Sequence, residues 1–167
     1  GRGVSVGMNG FVGPGTVGLK RVLLRVIGPT LAAQGVAGVW GNTFLELHDS
    51  TGAMIASNDD WETTSVGGVI TADQSTVIYA TGLAPTDSME SAMVVDLLPG
   101  AYTAVIYGVN GETGVGLADI YDLDPASPAT VANLSTRGMV GTDANVLIGG
   151  FIVGGTESSN ALVRAIG

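Results

Sequence analysis

Residues 43–57 read TFLELHDSTGAMIAS, with apolar and polar residues alternating up to His48 and apolar residues returning after Gly52. Alternation with a period of two indicates a β-strand that has one buried face. The intervening DSTG is a turn sequence, because Asp and Ser side chains bond their own backbone and Gly adopts left-handed conformations. This segment therefore predicts an antiparallel β-hairpin.

Further strand-like runs lie along the rest of the chain. Turn sequences such as Leu98-Pro99-Gly100 and Asn110-Gly111 separate some of them. The runs are residues 77–79, 91–97, 101–109, 115–123, 131–137 and 145–153. A helical turn is expected near residues 31–34. Strands at this spacing predict an all-β fold, and specifically an antiparallel β-sandwich.

The composition is that of one domain built from short strands and turns. The chain has 167 residues, of which 46% are hydrophobic, 13% are charged and 27 are glycine. A domain usually has about 100 to 200 residues, so we expect a single domain over residues 1–167. The absence of cysteine excludes disulfides, thiol nucleophiles and thiolate metal sites. No apolar run approaches the roughly 20 residues of a membrane helix, so membrane insertion is not expected.

The two end segments of the chain have related sequences. Residues 22–28, VLLRVIG, are echoed 139 positions later by residues 161–167, ALVRAIG. Residues 10–12, GFV, are likewise echoed by residues 150–152, GFI. Each copy reads as two apolar strands separated by a Gly/Thr turn. We therefore predict an N-terminal β-hairpin over residues 1–28, a sandwich body over 29–140 and a repeated C-terminal hairpin over 141–167.

Acidic and basic residues occupy different parts of the chain. Residues 1–45 contain four basic residues and no acid, whereas residues 46–124 contain thirteen acids and neither Lys nor Arg. One interpretation is a solvated acidic face. The other is that the basic segment binds an acidic surface, either within one subunit or on a neighbour. Nucleic acid is not expected as a partner, since phosphate binding needs clustered Lys and Arg.

Two groups of residues carry a resemblance to known modules. The hairpin with its continuation to Trp61, followed by LPGAYTAVI at residues 98–106, resembles the pre-peptidase C-terminal type of β-sandwich, a jelly-roll-like fold. Residues 132–138, ANLSTRG, and residues 148–155, IGGFIVGG, are similar to tandem repeat modules of large secreted bacterial surface proteins. The resemblance implies a sandwich fold, an extracellular or cell-surface location and a structural role.

Two glycine motifs have the letter pattern of catalytic loops without their context. Residues 13–18, GPGTVG, match the dinucleotide-binding pattern, yet a strand follows where a helix is required. Residues 3–7, GVSVG, match a serine nucleophile elbow, yet no helix follows and the single histidine, His48, lies in a predicted strand. We interpret both motifs as turn or strand glycines and expect no enzyme activity.

Calcium is the cofactor that the acidic loops match best. Its usual ligands are carboxylate, amide and backbone oxygens, and the candidates near the hairpin ends are Asp49, Asn58, Asp59 and Asp60. The alternative, which we favour, is that these side chains cap turns and that the protein binds no cofactor. A glycan is a further candidate ligand, because acids flank Trp61 as they do in sugar-binding loops.

The repeat, the charge separation and the resemblance together favour a structural protein. We expect its subunits to join head to tail by exchange of β-hairpins, forming a filament, sheath or surface array outside the cell. The partner is then a second copy of the same chain. The alternative is a noncatalytic adhesion or ligand-binding module of a larger secreted protein, dependent on calcium or a glycan.

The candidate interface residues lie in the two related end segments. Arg25 and Arg164 occupy matching positions, either as charges that protect an edge strand or as anchors for the carboxylates of a neighbour. The full set is Arg2, Phe11, Lys20, Arg21, Leu23, Arg25 and Ile27 in the first segment, and Phe151, Leu162, Arg164 and Ile166 in the second.

Overall fold

The computed structural model describes residues 6–12, 18–127, 131–137 and 163, and β-strands dominate this part of the chain. The strands are β1 Val6–Val12, β2 Lys20–Ile27, β3 Thr43–His48, β4 Met54–Asn58, β5 Ser91–Leu97, β6 Gly100–Gly108, β7 Leu117–Asp122 and β8 Val131–Arg137. Two short α-helices, α1 Pro29–Ala33 and α2 Ser75–Ala80, lie between them, and α1 accounts for the expected helical turn. No helix in the described residues is both long enough and apolar enough to cross a membrane.

The strands form two antiparallel sheets. The larger sheet has the order β4-β3-β6-β1-β8, and the smaller one has the order β5-β2-β7. Neighbouring strands in both sheets run antiparallel. Side chains of both sheets meet in one apolar core, with Leu24 and Met93 from the smaller sheet and Leu45 and Ile106 from the larger. The predicted all-β, antiparallel fold is confirmed, while its sandwich and jelly-roll details stay predictions.

The β3–β4 hairpin forms where the alternation predicted it. At its turn, one carboxylate oxygen of Asp49 accepts hydrogen bonds from the backbone N–H groups of Thr51 (2.8 Å) and Ala53 (3.1 Å). Gly52 has a φ of +84°, a left-handed conformation that glycine adopts without strain. The turn residues therefore fix where the chain reverses.

The N-terminal segment does not form the predicted hairpin. β1 pairs with β6 and β8 in the larger sheet, whereas β2 pairs with β5 and β7 in the smaller one. β2 carries apolar side chains on both faces, since Leu23 and Leu24 are 0% and 3% exposed. A strand of this kind needs cover on both faces, which a two-stranded hairpin cannot supply. The predicted C-terminal hairpin, residues 141–167, lies outside the described residues except for Val163.

A layer formed by the 61–84 segment covers the outer side of the smaller sheet. Its apolar cluster combines Trp61 and Ile78 of this layer with Leu23 of β2. Residues 77–79, predicted as a strand, lie in α2, so that prediction is wrong. Ile78 is 1% exposed while its two neighbours are 46% and 74% exposed, as expected when a short helix turns one residue toward a sheet. A short apolar run cannot by itself distinguish a helix from a strand.

Glycines surround Trp40, a core residue that is 2% exposed. A Cβ atom at Gly108 would lie 2.6 Å from Cδ1 of Trp40, and Cβ atoms at Gly28 and Gly116 would also collide with this residue. The indole therefore needs glycine on several sides, which accounts for part of the high glycine content.

Candidate functional site

β2 carries most of the candidate interface residues in the described part of the chain, and it lies at the centre of the smaller sheet. Residues 20–26 of this strand pair with β5, and residues 22–27 pair with β7. We name the position between β5 and β7 the β2 slot. Leu23 and Val26 are 0% exposed there. The slot therefore holds one strand, with a neighbour on each edge and cover on each face.

The two faces of β2 contact different parts of the molecule. The inner face, directed into the core shared by the sheets, consists of Val22, Leu24 and Val26. On the outer face, Leu23 packs in the apolar cluster of the α2 layer. Over residues 22–27, the alternation of the strand places Arg25 and Ile27 on the same face. Arg25 is the one charged residue between Val22 and Ile27, and a charge at a packed position needs a specific partner.

Arg25 is held by three groups of its own chain. Its Nε lies 3.1 Å from Oδ2 of Asp119, its Nη1 donates to the carbonyl oxygen of Leu83 (2.8 Å), and its Nη2 donates to the hydroxyl of Tyr121 (2.7 Å). The guanidinium carbon also lies 5.1 Å from the centre of the Tyr121 ring, a cation–π distance. The side chains of Arg25 and Asp119 are 17% and 21% exposed, so water screens this ion pair only partly.

The other two basic residues of β2 also bind acidic residues nearby. Lys20 is 1% exposed, and its Nζ lies 2.6 Å from Asp122 and donates to the carbonyl oxygen of Asp124 (2.7 Å). Arg21 is exposed and donates two hydrogen bonds, of 2.8 and 2.7 Å, to Asp96. These bonds lower the pKa of Asp96 and raise the pKa of Arg21. The basic strand therefore meets acidic partners within one subunit, which is one of the two predicted arrangements.

Glu90 lies at one end of the slot, and it is fully buried although its side chain is a carboxylate. One of its carboxylate oxygens accepts hydrogen bonds from the N–H groups of Gly28 (3.0 Å) and Thr30 (2.7 Å), and the other accepts one from the Thr30 hydroxyl (2.7 Å). Gly28 has no room for a Cβ because the carbonyl oxygen of Trp40 lies against it. Glu90 could not be predicted from the sequence, since its partners are 60 and 62 positions away and no local pattern marks it.

Side-chain amides cover the outer edge of β5. Nε2 of Gln74 donates to the carbonyl oxygen of Val94 (2.6 Å), and its Oε1 accepts from the N–H of the same residue (3.1 Å). Oδ1 of Asn58 accepts from the N–H of Ala92 (3.0 Å). These amides bond the backbone groups that another strand would otherwise pair with, which blunts the edge. Among the described strands, β7 pairs with β2 alone.

In the described subunit, the candidate interface residues of β2 contact their own chain, and a contact with a neighbouring subunit stays a prediction. Lys20, Leu23, Arg25 and Ile27 are buried or paired inside their own subunit. The physical reason is that β2 needs cover on both faces, and the larger sheet and the α2 layer supply it. Arg21 differs, since its side chain is 53% exposed. Only the backbone of Phe11 is described, in β1, and the residues outside the described part are Arg2, Phe151, Leu162, Arg164 and Ile166.

The four predicted calcium ligands do not form one site. Asp49 lies at the turn of the hairpin and Asn58 ends β4, about 13 Å further along at roughly 3.3 Å per residue. Nδ2 of Asn58 donates to the carbonyl oxygens of Asp60 and Thr63, both at 3.2 Å, so this side chain is already engaged. No group of three or more His, Asp or Glu residues suited to a metal occurs in the described residues. The prediction of one ion shared by all four residues is therefore wrong.

Asp59 and Asp60 form an acidic pair beside Trp61. The Oδ1 atom of each carboxylate is buried and has no hydrogen-bond partner. Burial, and secondarily the charge of Asp60, raises the pKa of Asp59. Trp61 is 7% exposed and its Nε1 donates to the carbonyl oxygen of Asp87 (3.2 Å), so the indole offers no open face on which a sugar could stack.

His48 bridges two acceptors of the β3–β4 hairpin. Its Nδ1 lies 3.1 Å from the carbonyl oxygen of Gly52, and its Nε2 lies 2.9 Å from Oε2 of Glu46. The bond to Glu46 and then the bond to Gly52 raise the pKa of His48. The imidazole is thus part of the hairpin, and the glycine motifs at residues 3–7 and 13–18 lie largely outside the described residues.

Comparisons with protein-family models, curated proteins and solved structures found no significant match to this chain. The resemblance to pre-peptidase C-terminal-type modules therefore stays a prediction. The candidate site is defined by its own geometry, a central strand whose outer face carries a bound arginine. A related sequence, with Leu, Arg, Ile and Gly at the matching positions, occurs at residues 161–167.

Proposed function

We propose that this protein is an extracellular structural protein whose subunits join head to tail by exchange of terminal β-strands, as a filament, sheath or surface array. The observation that carries the proposal is the double occurrence of one strand sequence. Residues 22–27 lie in β2, the central strand of a sheet, and residues 161–167 repeat them together with the next glycine. One subunit offers one β2 slot, so the second copy of the strand is available to another subunit.

The second copy is apolar enough to require a partner. Val163 within it is 74% exposed, whereas Leu24, the matching residue of β2, is 3% exposed. Exposed apolar residues in a sequence of strand-like pattern are an aggregation hazard for a lone subunit. Pairing with a neighbouring sheet removes that hazard, because main-chain hydrogen bonds and side-chain pockets both bind the added strand.

Transfer of a strand between subunits is a head-to-tail contact. The donor would be residues 161–167, and the acceptor would be formed by β5 and β7, so the two sides of the contact are different segments of the chain. Such a heterologous contact propagates as an open polymer when it does not close into a ring. The high mean hydropathy of +0.43 fits additional burial between subunits.

An adhesion or ligand-binding module is the second candidate function, and the acidic pair of Asp59 and Asp60 supports it. Their buried carboxylate oxygens have no hydrogen-bond partner, and a cation would satisfy them. A module of this kind acts without polymerising. It would be favoured by a calcium-dependent rise in melting temperature that Asp59→Asn abolishes and that leaves the molar mass unchanged.

Molar mass measured against protein concentration tests the proposed assembly. Light scattering on a size-exclusion column and negative-stain microscopy should show multimers that grow with concentration, most clearly after incubation a few degrees below the melting temperature. Arg164→Glu should lower the multimer fraction at least about tenfold with no change in melting temperature. Arg137→Glu makes the same change of charge outside the repeat and should leave the multimers in place. A monodisperse monomer at every concentration would contradict the proposal.

A further inference from the structure

We infer that residues 161–167 of one copy occupy the β2 slot of a second copy, in the register of β2, with Arg164 bound where Arg25 lies in the closed subunit. The inference rests on the proposed function and specifies the contact that performs it. It follows from comparing the repeat, residue by residue, with the two faces of β2.

Within residues 22–28, the outer face of β2 is repeated without change. Leu162, Arg164 and Ile166 match Leu23, Arg25 and Ile27, and Gly167 matches Gly28. Within residues 22–28, every difference falls on the inner face, where Val22, Leu24 and Val26 are matched by Ala161, Val163 and Ala165. In this stretch, the residues that bond particular atoms of the slot are therefore kept, and those that only fill space vary.

Arginine at the central position of the outer face matches specific groups of the acceptor. Arg25 bonds the carboxylate of Asp119, the hydroxyl of Tyr121 and the carbonyl oxygen of Leu83 at the same time. These bonds use all three nitrogens of the planar guanidinium, whereas the three donors of a lysine lie on one nitrogen. Arg164 brings the same donors to the same three groups.

Glycine at the end of the segment matches a second requirement of the slot. At Gly28 a Cβ would collide with the carbonyl oxygen of Trp40, and its N–H donates to the buried carboxylate of Glu90 at 3.0 Å. Gly167 can take the same position because it also lacks a Cβ. The inner-face residues of the segment are all smaller than those of β2, so the segment enters the slot without a steric clash.

β2 fills the slot in the described subunit, so docking of the second strand displaces it. The smaller inner face of residues 161–167 fills the core less completely than β2 does. Ser159 and Asn160 stand where β2 has Lys20 and Arg21, which leaves Arg164 as the basic anchor of the segment. In a lone subunit, β2 is therefore favoured over residues 161–167 as the occupant of the slot. The exposure of Val163 agrees with this preference.

Two single-cysteine chains test the inferred register. The protein has no cysteine, so each variant carries one thiol. Asn160 matches Arg21, which lies opposite Asp96 on β5. One chain therefore carries Asn160→Cys, and the other carries Asp96→Cys at an exposed ion pair whose loss costs little. Residues directly opposite each other have Cα atoms about 4.5 to 5.5 Å apart, which suits a disulfide.

The two chains are mixed, incubated below the melting temperature and oxidised, and the mixed-disulfide dimer is quantified by mass. Ser159→Cys, one position out of register, should give at least about fivefold less mixed dimer with the Asp96→Cys chain. Arg164→Glu added to the Asn160→Cys chain should reduce the yield at least about tenfold. A single chain with both Arg21→Cys and Asp96→Cys should form its disulfide within the monomer, which shows that Asp96→Cys permits folding.

Equal yields from the Ser159→Cys and Asn160→Cys chains would overturn the inferred register. If light scattering shows multimers but no mixed disulfide forms, the inferred register is also overturned. In that case the proposed assembly stands, and the subunits contact each other at another place. Absence of both multimers and mixed disulfide would overturn the proposed function together with the inference.

Discussion

Arg25 shows how one side chain ties three parts of the chain together, since its partners lie on β7 and in the segment before β5. Arg25→Lys should lower the free energy of unfolding by about 1 to 2 kcal/mol, because one ammonium cannot bond Asp119, Tyr121 and the Leu83 carbonyl together. Arg21→Lys, at an exposed pair, should lower it by less than about 0.5 kcal/mol. Denaturant unfolding measures both, and equal losses would contradict the role given to Arg25.

Gly28 is required by the close approach of the Trp40 backbone. Gly28→Ala should lower the free energy of unfolding by about 2 kcal/mol or more, since the new Cβ collides with a carbonyl oxygen that the packed indole holds in place. Gly67→Ala is the matched control, because a Cβ at Gly67 meets nothing within 4 Å. In thermal denaturation, Gly28→Ala should have a clearly lower melting temperature than Gly67→Ala. Similar melting temperatures would argue against the packing of Trp40 on Gly28.

His48 should make the stability of the protein depend on pH. Both ring nitrogens face acceptors, so folding favours the protonated imidazolium and raises the pKa of His48 above 6.5. The contribution of His48 to the free energy of unfolding is therefore fully present below about pH 6.5. It is lost as the pH rises through the raised pKa of the folded protein. His48 is the single histidine of the chain, so a proton NMR titration follows it directly. Glu46→Gln should lower its pKa, and an unchanged titration in that variant would contradict the assignment.

At the scale of single elements, the sequence predicted strands well where one face is buried and turn residues bound the run. β3 and β5 have the predicted limits, and the β3–β4 hairpin forms around Asp49 and Gly52 as expected. α2 was missed because its β-branched and aromatic residues are also typical of strands. Its helical state depends on packing against the smaller sheet, which no local pattern reports.

Pairing between distant elements was the part that the sequence could not supply. β1 and β2 are close in the chain and were predicted to pair, yet each finds partners 65 to 130 positions away. Glu90 and Gln74 act through bonds to backbone groups 20 to 62 positions away, so their roles appear only in the fold. The repeat, in contrast, could be read directly from the sequence, and the fold added what each face of β2 packs against.

Gln74 should protect the edge of β5. Gln74→Ala should lower the free energy of unfolding by about 1 to 2 kcal/mol, because it leaves the N–H and carbonyl groups of Val94 without their partner. It should also raise aggregation on heating, since an uncovered edge can pair with other chains. Gln34→Ala, at an exposed residue after α1, is the matched control. Turbidity and thermal melting should distinguish the two variants, and identical behaviour would show that the amide does not protect the edge.

In the proposed assembly, β2 and residues 161–167 of another copy compete for one slot. Residues 161–167 have two fewer side-chain carbons at each Val-to-Ala difference and one fewer at the Leu-to-Val difference. At about 0.8 kcal/mol for each buried methylene-sized group, β2 is favoured by about 4 kcal/mol. A subunit therefore keeps its own strand until β2 opens, and assembly should be slow at low temperature and low concentration.

The most direct measurement of this competition strengthens the donor strand and leaves the body of the subunit untouched. The triple variant Ala161→Val, Val163→Leu, Ala165→Val makes residues 161–167 identical to residues 22–28, and the same triple with Arg164→Glu carries equal apolar bulk without the anchor. In sedimentation velocity, the account predicts that the triple variant has a larger multimer fraction than the original chain at the same melting temperature. The version with Arg164→Glu should stay monomeric. If both versions assemble to the same extent, or neither exceeds the original chain, strand exchange through the β2 slot is contradicted.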